Sequence, residues 1–338
     1  MFTQISGFAS YLPSKVVNTE DFAPQGRLPQ KIDLKRLTKI KTHHEADESE
    51  SSVSMAIEAA KKAIERSKIE LSEIDLVIYC AVSKMNEKLE QLISPSMASV
   101  ICDELGINAR SFDVSNACSG MVTGLMVANS QVKSGTCKNA LVLSGEYLTP
   151  ALYEALSRNL YLNKKAIPSL TIGDAGCAYV ISQSNEQRIN FYEPVTLAKY
   201  DDMCIAEAAK GMKGPAMRTD GRGLQNAGLT NLGPYLKRNI TQDAWDEYAH
   251  VISHQTSPRA VGKGADIAGS IFGTPEKVRS TDHAGNTAST THGVVLESLL
   301  SNNSIQGDQR ILLVAFGSGL SMIGVDFMTP KEAGSWSA

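Results

Sequence analysis

Asp113-Val114-Ser115-Asn116-Ala117-Cys118-Ser119-Gly120-Met121 joins a strand-like run to a helix-like run through small residues. Before it, Ser111-Phe112-Asp113-Val114 reads as a buried strand end; after it, Met121, Leu125, Met126 and Val132 fall on one helical face. A cysteine at that junction occupies a helix N-terminus, where the positive end of the dipole favours thiolate over thiol. Cys118 is therefore a candidate nucleophile. The alternative use of such a cysteine is as a small buried apolar residue.

Outward from this stretch, apolar periodicity predicts alternating strands and helices. Residues 3–10 alternate as a strand, Ser52–Ser67 carries an apolar stripe of Val53, Ala56, Ile57, Ala60, Ala63 and Ile64, and Ile74–Val82 is apolar enough for a strand covered on both faces. Ser94–Leu105 reads as a helix with Pro95 in its first turn. Ala140–Gly145 is a further buried strand, and Gly173-Asp174-Ala175-Gly176 a tight turn entering another. The stretch from Pro24 to Glu50 reads as a surface excursion, with His43-His44-Glu45-Ala46-Asp47 a solvated loop rather than a metal site. Residues 207–234, rich in Gly and Pro, read as a long loop region.

The second half echoes the first. Val251-Ile252-Ser253-His254 follows Trp245–His250, the small-residue turn Asp282-His283-Ala284-Gly285-Asn286 opens a helix over Thr287–Leu300, and Arg310–Phe316 and Ser321–Phe327 are strands. The pattern divides the chain into an N-terminal half, 1–182, holding the cysteine and a C-terminal half, 189–338, holding His254 and Asn286. It also sets Cys118 and Asn286 at related helix starts on either side of a central site.

Composition narrows the function. A formal charge of -3 with 33 Lys+Arg against 36 Asp+Glu gives no electrostatic footprint for nucleic acid and no polybasic arm for a membrane. The six cysteines lack any C-x-x-C pair, which argues against zinc spacing or a disulfide framework and for a reducing cytoplasm. No apolar run reaches membrane-spanning length, and the N-terminus does not read as a signal peptide.

Cys118 has two candidate partners in the sequence. His254 stands at the C-terminal end of an apolar strand, where α/β folds present functional side chains, and Asn286 follows Gly285. A structural histidine and an N-cap asparagine are the alternatives, and Cys, His and Asn also describe a cysteine protease.

Taken in order, Asn116-Ala117-Cys118-Ser119-Gly120, Gly173-Asp174-Ala175-Gly176, Ser253-His254-Gln255, Gly285-Asn286-Thr287-Ala288-Ser289 and Phe316-Gly317-Ser318-Gly319 resemble the signature blocks of the β-ketoacyl-ACP synthase III branch of the thiolase superfamily. The resemblance implies a duplicated thiolase-like fold, five-layered α-β-α-β-α, and usually a homodimer. It implies ping-pong acyl transfer: Cys118 takes an acyl group from a thioester, and His254 and Asn286 hold the carbonyl oxygen of a malonyl- or β-ketoacyl-type thioester during Claisen condensation. The backbone N–H groups of Cys118 and Ser318 would form the oxyanion hole. That chemistry suits the residue types, since thioester attack uses a polarisable thiolate and an enolate needs donors aimed at its oxygen. No metal, nucleotide or redox cofactor is implied.

The departures bear on substrate. Family members that use acyl-CoA carry a Trp and an Arg near the N-terminus; matched through Thr38 and Ile40, Asp33 and Leu37 stand there, which favours an acyl-ACP donor or a differently held CoA. Arg259 resembles a carrier-docking contact, and Lys263 lies one helical turn beyond it. Ile93 matches the position where a bulky residue of the partner subunit closes the acyl pocket; Met121 is also expected to contact substrate. An Ile in place of the usual Phe implies a longer or branched acyl group in fatty-acid, polyketide or secondary-metabolite synthesis. Acyl transfer to an alcohol or amine by the same Cys-His pair, and a non-catalytic partner subunit of a related synthase, are the alternatives.

Overall fold

The computed structural model describes residues 1–21, 32–211, 214–331 and 336. The first apolar runs give β1 (Phe2–Tyr11), β2 (Lys15–Asn18), α1 (Leu34–Thr38), β3 (Thr42–Glu45), α2 (Ser52–Ser67), β4 (Leu76–Tyr79), α3 (Met97–Leu105) and β5 (Arg110–Asp113). Next come α4 (Gly120–Lys133), β6 (Asn139–Glu146), α5 (Thr149–Ser157) and β7 (Ala175–Ser184). The second half holds β8 (Ile189–Phe191), β9 (Val195–Tyr200), β10 (Cys204–Ala208), β11 (Pro215–Thr219), α6 (Gly221–Asn239), α7 (Gln242–Glu247) and β12 (Tyr248–Ser253). It continues with α8 (Pro258–Phe272), β13 (Val278–Arg279), α9 (Thr291–Ser301), β14 (Arg310–Gly317) and β15 (Gly319–Met328).

The two main sheets have the same topology. One runs β1-β7-β6-β4-β5 and the other β8-β15-β14-β12-β13, each with two antiparallel pairings followed by two parallel ones. Strands covered on both faces must be apolar throughout, and alternate residues go to different cores. Leu76 and Ile78 of β4, with Ala140 and Val142 of β6, join Ile311 and Leu313 of β14 in the central core; Val77, Leu141 and Leu143 face α2 and α3. On β14, Leu312 and Val314 turn instead to Leu232 and Leu236 of α6 and Ala268 of α8. The layers are α2/α3, first sheet, α4/α9, second sheet, α6/α8: a duplicated thiolase-like fold.

The α2 layer approaches its sheet closely. A Cβ on Gly145 would stand 1.9 Å from the Ser52 carbonyl oxygen, so only glycine lets the end of β6 pass beneath the first turn of α2. At the other end of α2, Arg66 reaches inward. Its guanidinium donates to both carboxylate oxygens of Glu297 on α9, each at 2.9 Å, and to the Phe8 carbonyl of β1 at 2.8 Å. Outer helix, sheet and central helix are thereby joined by one nearly buried ion pair.

Several expectations need correction. The end of β5 is not buried: β5 is an edge strand, and Phe112 remains 39% exposed. His43 and Glu45 are not in a solvated loop but in β3, both 2% exposed, with His43 Nε2 3.0 Å from Glu45 Oε1. The part of the supposed surface excursion from Pro24 to residue 31 lies outside the described residues. Much of 207–234 is helical. Asp220 caps α6 by accepting from the Gly223 N–H at 2.9 Å, and burial of Leu232, Tyr235 and Leu236 outweighs a glycine cost of about 1 kcal/mol apiece. Pro95 precedes α3, which Ser96 caps.

Removing Arg66 strips the largely buried Glu297 carboxylate of its bidentate partner and leaves it only the more exposed Lys62, 3.1 Å away, as an ion pair. Arg66→Met should therefore lower the unfolding free energy by about 3 kcal/mol, with much of the loss recovered when Glu297→Leu is added. Urea titration of the single and double variants checks this; equal stability of wild type and Arg66→Met contradicts the assignment.

Candidate active site

Cys118 lies in a 3-10 turn, Ala117–Ser119, between β5 and the start of α4. Ala117 has φ 46, a left-handed conformation that an alanine holds only under tertiary constraint. The constraint is visible in the neighbouring bonds. Asn116 Nδ2 donates to Thr123 Oγ1 at 2.8 Å, and Ser119 Oγ lies 2.8 Å from the Asn116 carbonyl and 2.7 Å from Ser321 Oγ on β15.

The second half repeats the turn. Ala288 also has φ 46, Ala288–Thr290 is the corresponding 3-10 turn, and α9 follows it as α4 follows the first. The two turns pack against each other. Aligning Ala117 with Ala288 sets Ser289, not Asn286, at the position of Cys118; Asn286 falls a turn earlier and matches Ser115. The small-residue stretches alone pair Cys118 with Asn286, because nothing in composition marks the 3-10 turn between Asn286 and α9.

Glu146 closes this arrangement. It ends β6, is 0% exposed, and accepts from the N–H groups of Val82 at 2.9 Å, Ser83 at 3.0 Å and Ser289 at 3.2 Å, as well as from the Ser289 hydroxyl. Burial nonetheless pushes its carboxyl upward against those bonds. Burial likewise raises the Cys118 thiol, and Cys204 and Glu146 act in the same direction. In the free chain this opposes the thiolate preference expected of a helix N-terminus.

His254 follows β12 as expected. Its backbone N–H donates to the Val314 carbonyl at 3.0 Å, and its Nδ1 lies 3.0 Å from Thr291 Oγ1. Burial, with His292 beside it at 6.2 Å between ring centroids, lowers its pKa to about 3; burial lowers that of His292 to about 4. Both rings are neutral at pH 7. Asn286 Oδ1 accepts from the Ala288 N–H at 3.0 Å, so the oxygen caps the turn while Nδ2 keeps its capacity to donate. The loop before it is held by Asn286 N–H donating to the Thr171 carbonyl at 2.8 Å and Gly173 N–H donating to the Asn286 carbonyl at 3.2 Å.

Ser318 is the single residue between β14 and β15. A Cβ on neighbouring Gly317 would meet Ser119 Oγ at 2.5 Å and the Asn116 carbonyl at 2.8 Å, so this backbone rests directly on the Cys118 turn. The other expected residues lie elsewhere. Met121 is buried in the central core, and Ile93 is 91% exposed on this chain, not part of its core. Arg259 and Lys263 are exposed on α8, Arg259 donating to the Arg36 carbonyl at 3.3 Å and Lys263 to Gln225 at 3.0 Å. In α1, which packs against α8, Asp33 caps the helix by accepting from the Arg36 N–H at 2.8 Å, and Leu37 is half-exposed.

Sequence reasoning missed Glu146, Thr291, His292 and the part played by Asp174. Asp174 is fully buried and accepts from Ala46 N–H at 2.9 Å, Leu148 N–H at 2.6 Å, Thr149 N–H at 2.9 Å and Thr149 Oγ1 at 2.6 Å; burial raises it to about 6. The signals were a carboxyl ending an otherwise apolar strand and a polar run, Ser289–His292, where a central helix should begin apolar. Among the described residues, no cluster of three or more His, Cys, Asp or Glu side chains is arranged to hold a metal ion. No helix among them is long and apolar enough to cross a membrane.

Residues 112–196 match the family model described as 3-oxoacyl-[acyl-carrier-protein] synthase III, and residues 241–327 match its C-terminal counterpart. The chain belongs to the β-ketoacyl-acyl-carrier-protein synthase III-like group of the thiolase superfamily. It is a condensing acyltransferase of the ketosynthase type. Beta-ketoacyl-[acyl-carrier-protein] synthase III 1 of Vibrio vulnificus is 27% identical over 95% of this chain and 98% of its own length. The synthase III of Neisseria gonorrhoeae is 28% identical over 95% and 97%. Among solved structures, OleA of Xanthomonas campestris with bound lauric acid and lauroyl-CoA superimposes with a TM-score of 0.84 at 22% identity, covering 97% of this chain and 99% of that one; this likeness bears on the fold.

The neutral histidines of this synthase-like site imply a pH dependence of stability. Their folded pKa values lie below the ordinary value of 6.5, so protonation below that pH favours the unfolded chain; their contribution is complete at higher pH and declines as pH falls toward 4. Between pH 7.5 and 5, His292→Gln should lose about 2 kcal/mol less stability than the wild type. Urea titrations at the two pH values measure the difference, and parallel losses contradict it.

Proposed function

We propose that this chain forms carbon–carbon bonds by Claisen condensation, with Cys118 as the acyl carrier. Cys118 Sγ attacks the carbonyl of an acyl thioester; the new S–C bond replaces the donor's C–S bond, and the donor thiol leaves with the proton. A malonyl-type thioester then binds with its carbonyl oxygen between His254 and Asn286 Nδ2. Loss of carbon dioxide leaves an enolate that attacks the S-acyl carbon and releases Cys118 as thiolate. The backbone N–H groups of Cys118 and Ser318 receive the oxyanion in each acyl-transfer step.

The observation that best supports this reading is a buried, neutral His254 of very low basicity at the end of β12. Such a ring is a poor general base toward an alcohol or amine and a good donor to developing negative charge, which favours condensation over acyl transfer to oxygen or nitrogen. The Cys-His-Asn set also argues against a silent partner subunit. The divide between the halves is taken at 182–189, from the last residues of β7 to the first of β8.

For the substrate, we read an acyl group longer or more branched than acetyl, because Ile93 is smaller than the Phe usual at the pocket-closing position. In a homodimer, the exposed Ile93 is supplied to the partner's site, and Met121 lies behind the acyl-carrying turn. Asp33 and Leu37 offer neither an aromatic ring nor a cation for adenine, which supports an acyl carrier protein as donor. Arg259 and Lys263 on α8 would steer its acidic surface. The pathway is fatty-acid, polyketide or related secondary-metabolite synthesis, and the protein works in the cytoplasm.

Incubation with a panel of acyl-ACP and acyl-CoA thioesters should add acyl mass to Cys118, and none to the same peptide in Cys118→Ala. Longer or branched chains should exceed acetyl by about tenfold or more. Carbon dioxide should follow addition of a malonyl thioester. Exclusive acetyl transfer overturns the chain-length reading, and acyl transfer to alcohols or amines without carbon dioxide overturns condensation. Failure of every thioester to label Cys118 returns the silent-subunit reading.

A further inference from the structure

The first turn of α9 carries two polar side chains, Thr291 and His292, that are 1% and 2% exposed. Burial of such groups is costly unless each atom has a partner, so the partners indicate what the side chains are there to hold. Both lead to His254. Thr291 Oγ1 lies 3.0 Å from His254 Nδ1. His292 Nε2 lies 3.1 Å from the Val314 carbonyl oxygen, the same oxygen that accepts the His254 backbone N–H at 3.0 Å.

The hydrogen positions follow from this network. A carbonyl oxygen only accepts, so His292 carries its proton on Nε2, and its Nδ1 is a buried lone pair with no partner. The Thr291 hydroxyl has the choice of accepting from His254 Nδ1 or donating to it. Accepting would leave its own proton buried; donating satisfies both groups and places the His254 proton on Nε2. The donor edge of His254 is then set by its neighbours before substrate arrives.

We propose that Thr291 and His292 are positioning residues for His254: Thr291 fixes the ring and its tautomer, and His292 fixes the strand end that carries it by sharing the Val314 carbonyl. This rests on the role of His254 in condensation, and it assigns to the first turn of α9 a function beyond packing. His292 also sets the limit of the arrangement, since a second ring 6.2 Å away makes a cation on either one costly.

The wild-type protein tests the tautomer directly. With 15N-labelled histidine, His254 should show a protonated Nε2 and an unprotonated Nδ1, and the reverse pattern overturns the proposal. Rates of the two half-reactions test the function. Thr291→Val should slow condensation of the preformed acyl-enzyme by on the order of 10- to 100-fold while leaving acylation of Cys118 within about twofold. Thr291→Ser, which restores the hydroxyl, should recover most of the loss. His292→Leu should likewise act on condensation, and His292→Gln, which retains an N–H donor, should recover it. Equal slowing of both half-reactions, or a fall in thermal stability alone, assigns these residues to packing and overturns the inference. His254→Ala separates the two levels: if it still condenses, the role of His254 itself fails, whereas its loss with an unaffected Thr291→Val defeats only the positioning role.

Discussion

Two helices that start at the centre of the molecule must bring their unpaired N–H groups there, and the structure depends on how those ends are closed. α4 and α9 both begin after a 3-10 turn entered through an alanine in the left-handed region, Ala117 and Ala288. The turns pack against each other, which brings the two helix starts together between the sheets. Such ends demand acceptors. Asn286 Oδ1 takes the Ala288 N–H, Glu146 takes that of Ser289, and the backbone of Gly317 lies against the Cys118 turn. The fold thus concentrates unsatisfied polarity at its centre and shields it with apolar strands on both sides.

That setting explains the electrostatics. A low-dielectric centre disfavours every isolated charge, which is why the Cys118 thiol and the Glu146 carboxyl are pushed up while the two histidines are pushed down. Burial thus works against the charged form of each of these groups. A buried centre lined with donors is well suited to charge that develops during a reaction.

Much of the fold was legible because covered strands and amphipathic helices leave strong periodic signals. The helix Ser52–Ser67 and the apolar runs of β6, β14 and β15 are of this kind. α6 was not legible, because Gly223, Gly228 and Gly233 lower its local preference and its helicity comes from burial against the second sheet. β3 was missed because His43 and Glu45 look solvated until a partner is known. At the site, Cys118, His254 and Asn286 stood out as reactive types in small-residue settings. Glu146, Thr291 and His292 did not, since their importance lies in bonds to side chains distant in sequence, 143 positions for Glu146 with Ser289 and 37 for Thr291 with His254, or to the backbone of another strand. The exact correspondence of the halves was hidden for the same reason: Ser289 resembles an ordinary helix-start serine until its turn is superimposed on that of Cys118.

The same superposition explains why a duplicated fold has a single centre of reactive groups. The shift that aligns the two turns also aligns β6 with β14, and so Glu146 with Gly317. Glu146 reaches across to the Ser289 turn and satisfies both its backbone N–H and its hydroxyl, leaving Ser289 fully buried. Gly317 has no side chain to send across; its backbone packs on the Cys118 turn, and Cys118 stays only half-buried. One carboxyl against one hydrogen therefore breaks the symmetry. In one half the helix start is consumed by a structural bond, and in the other it remains open, beside a thiol, to whatever the site binds.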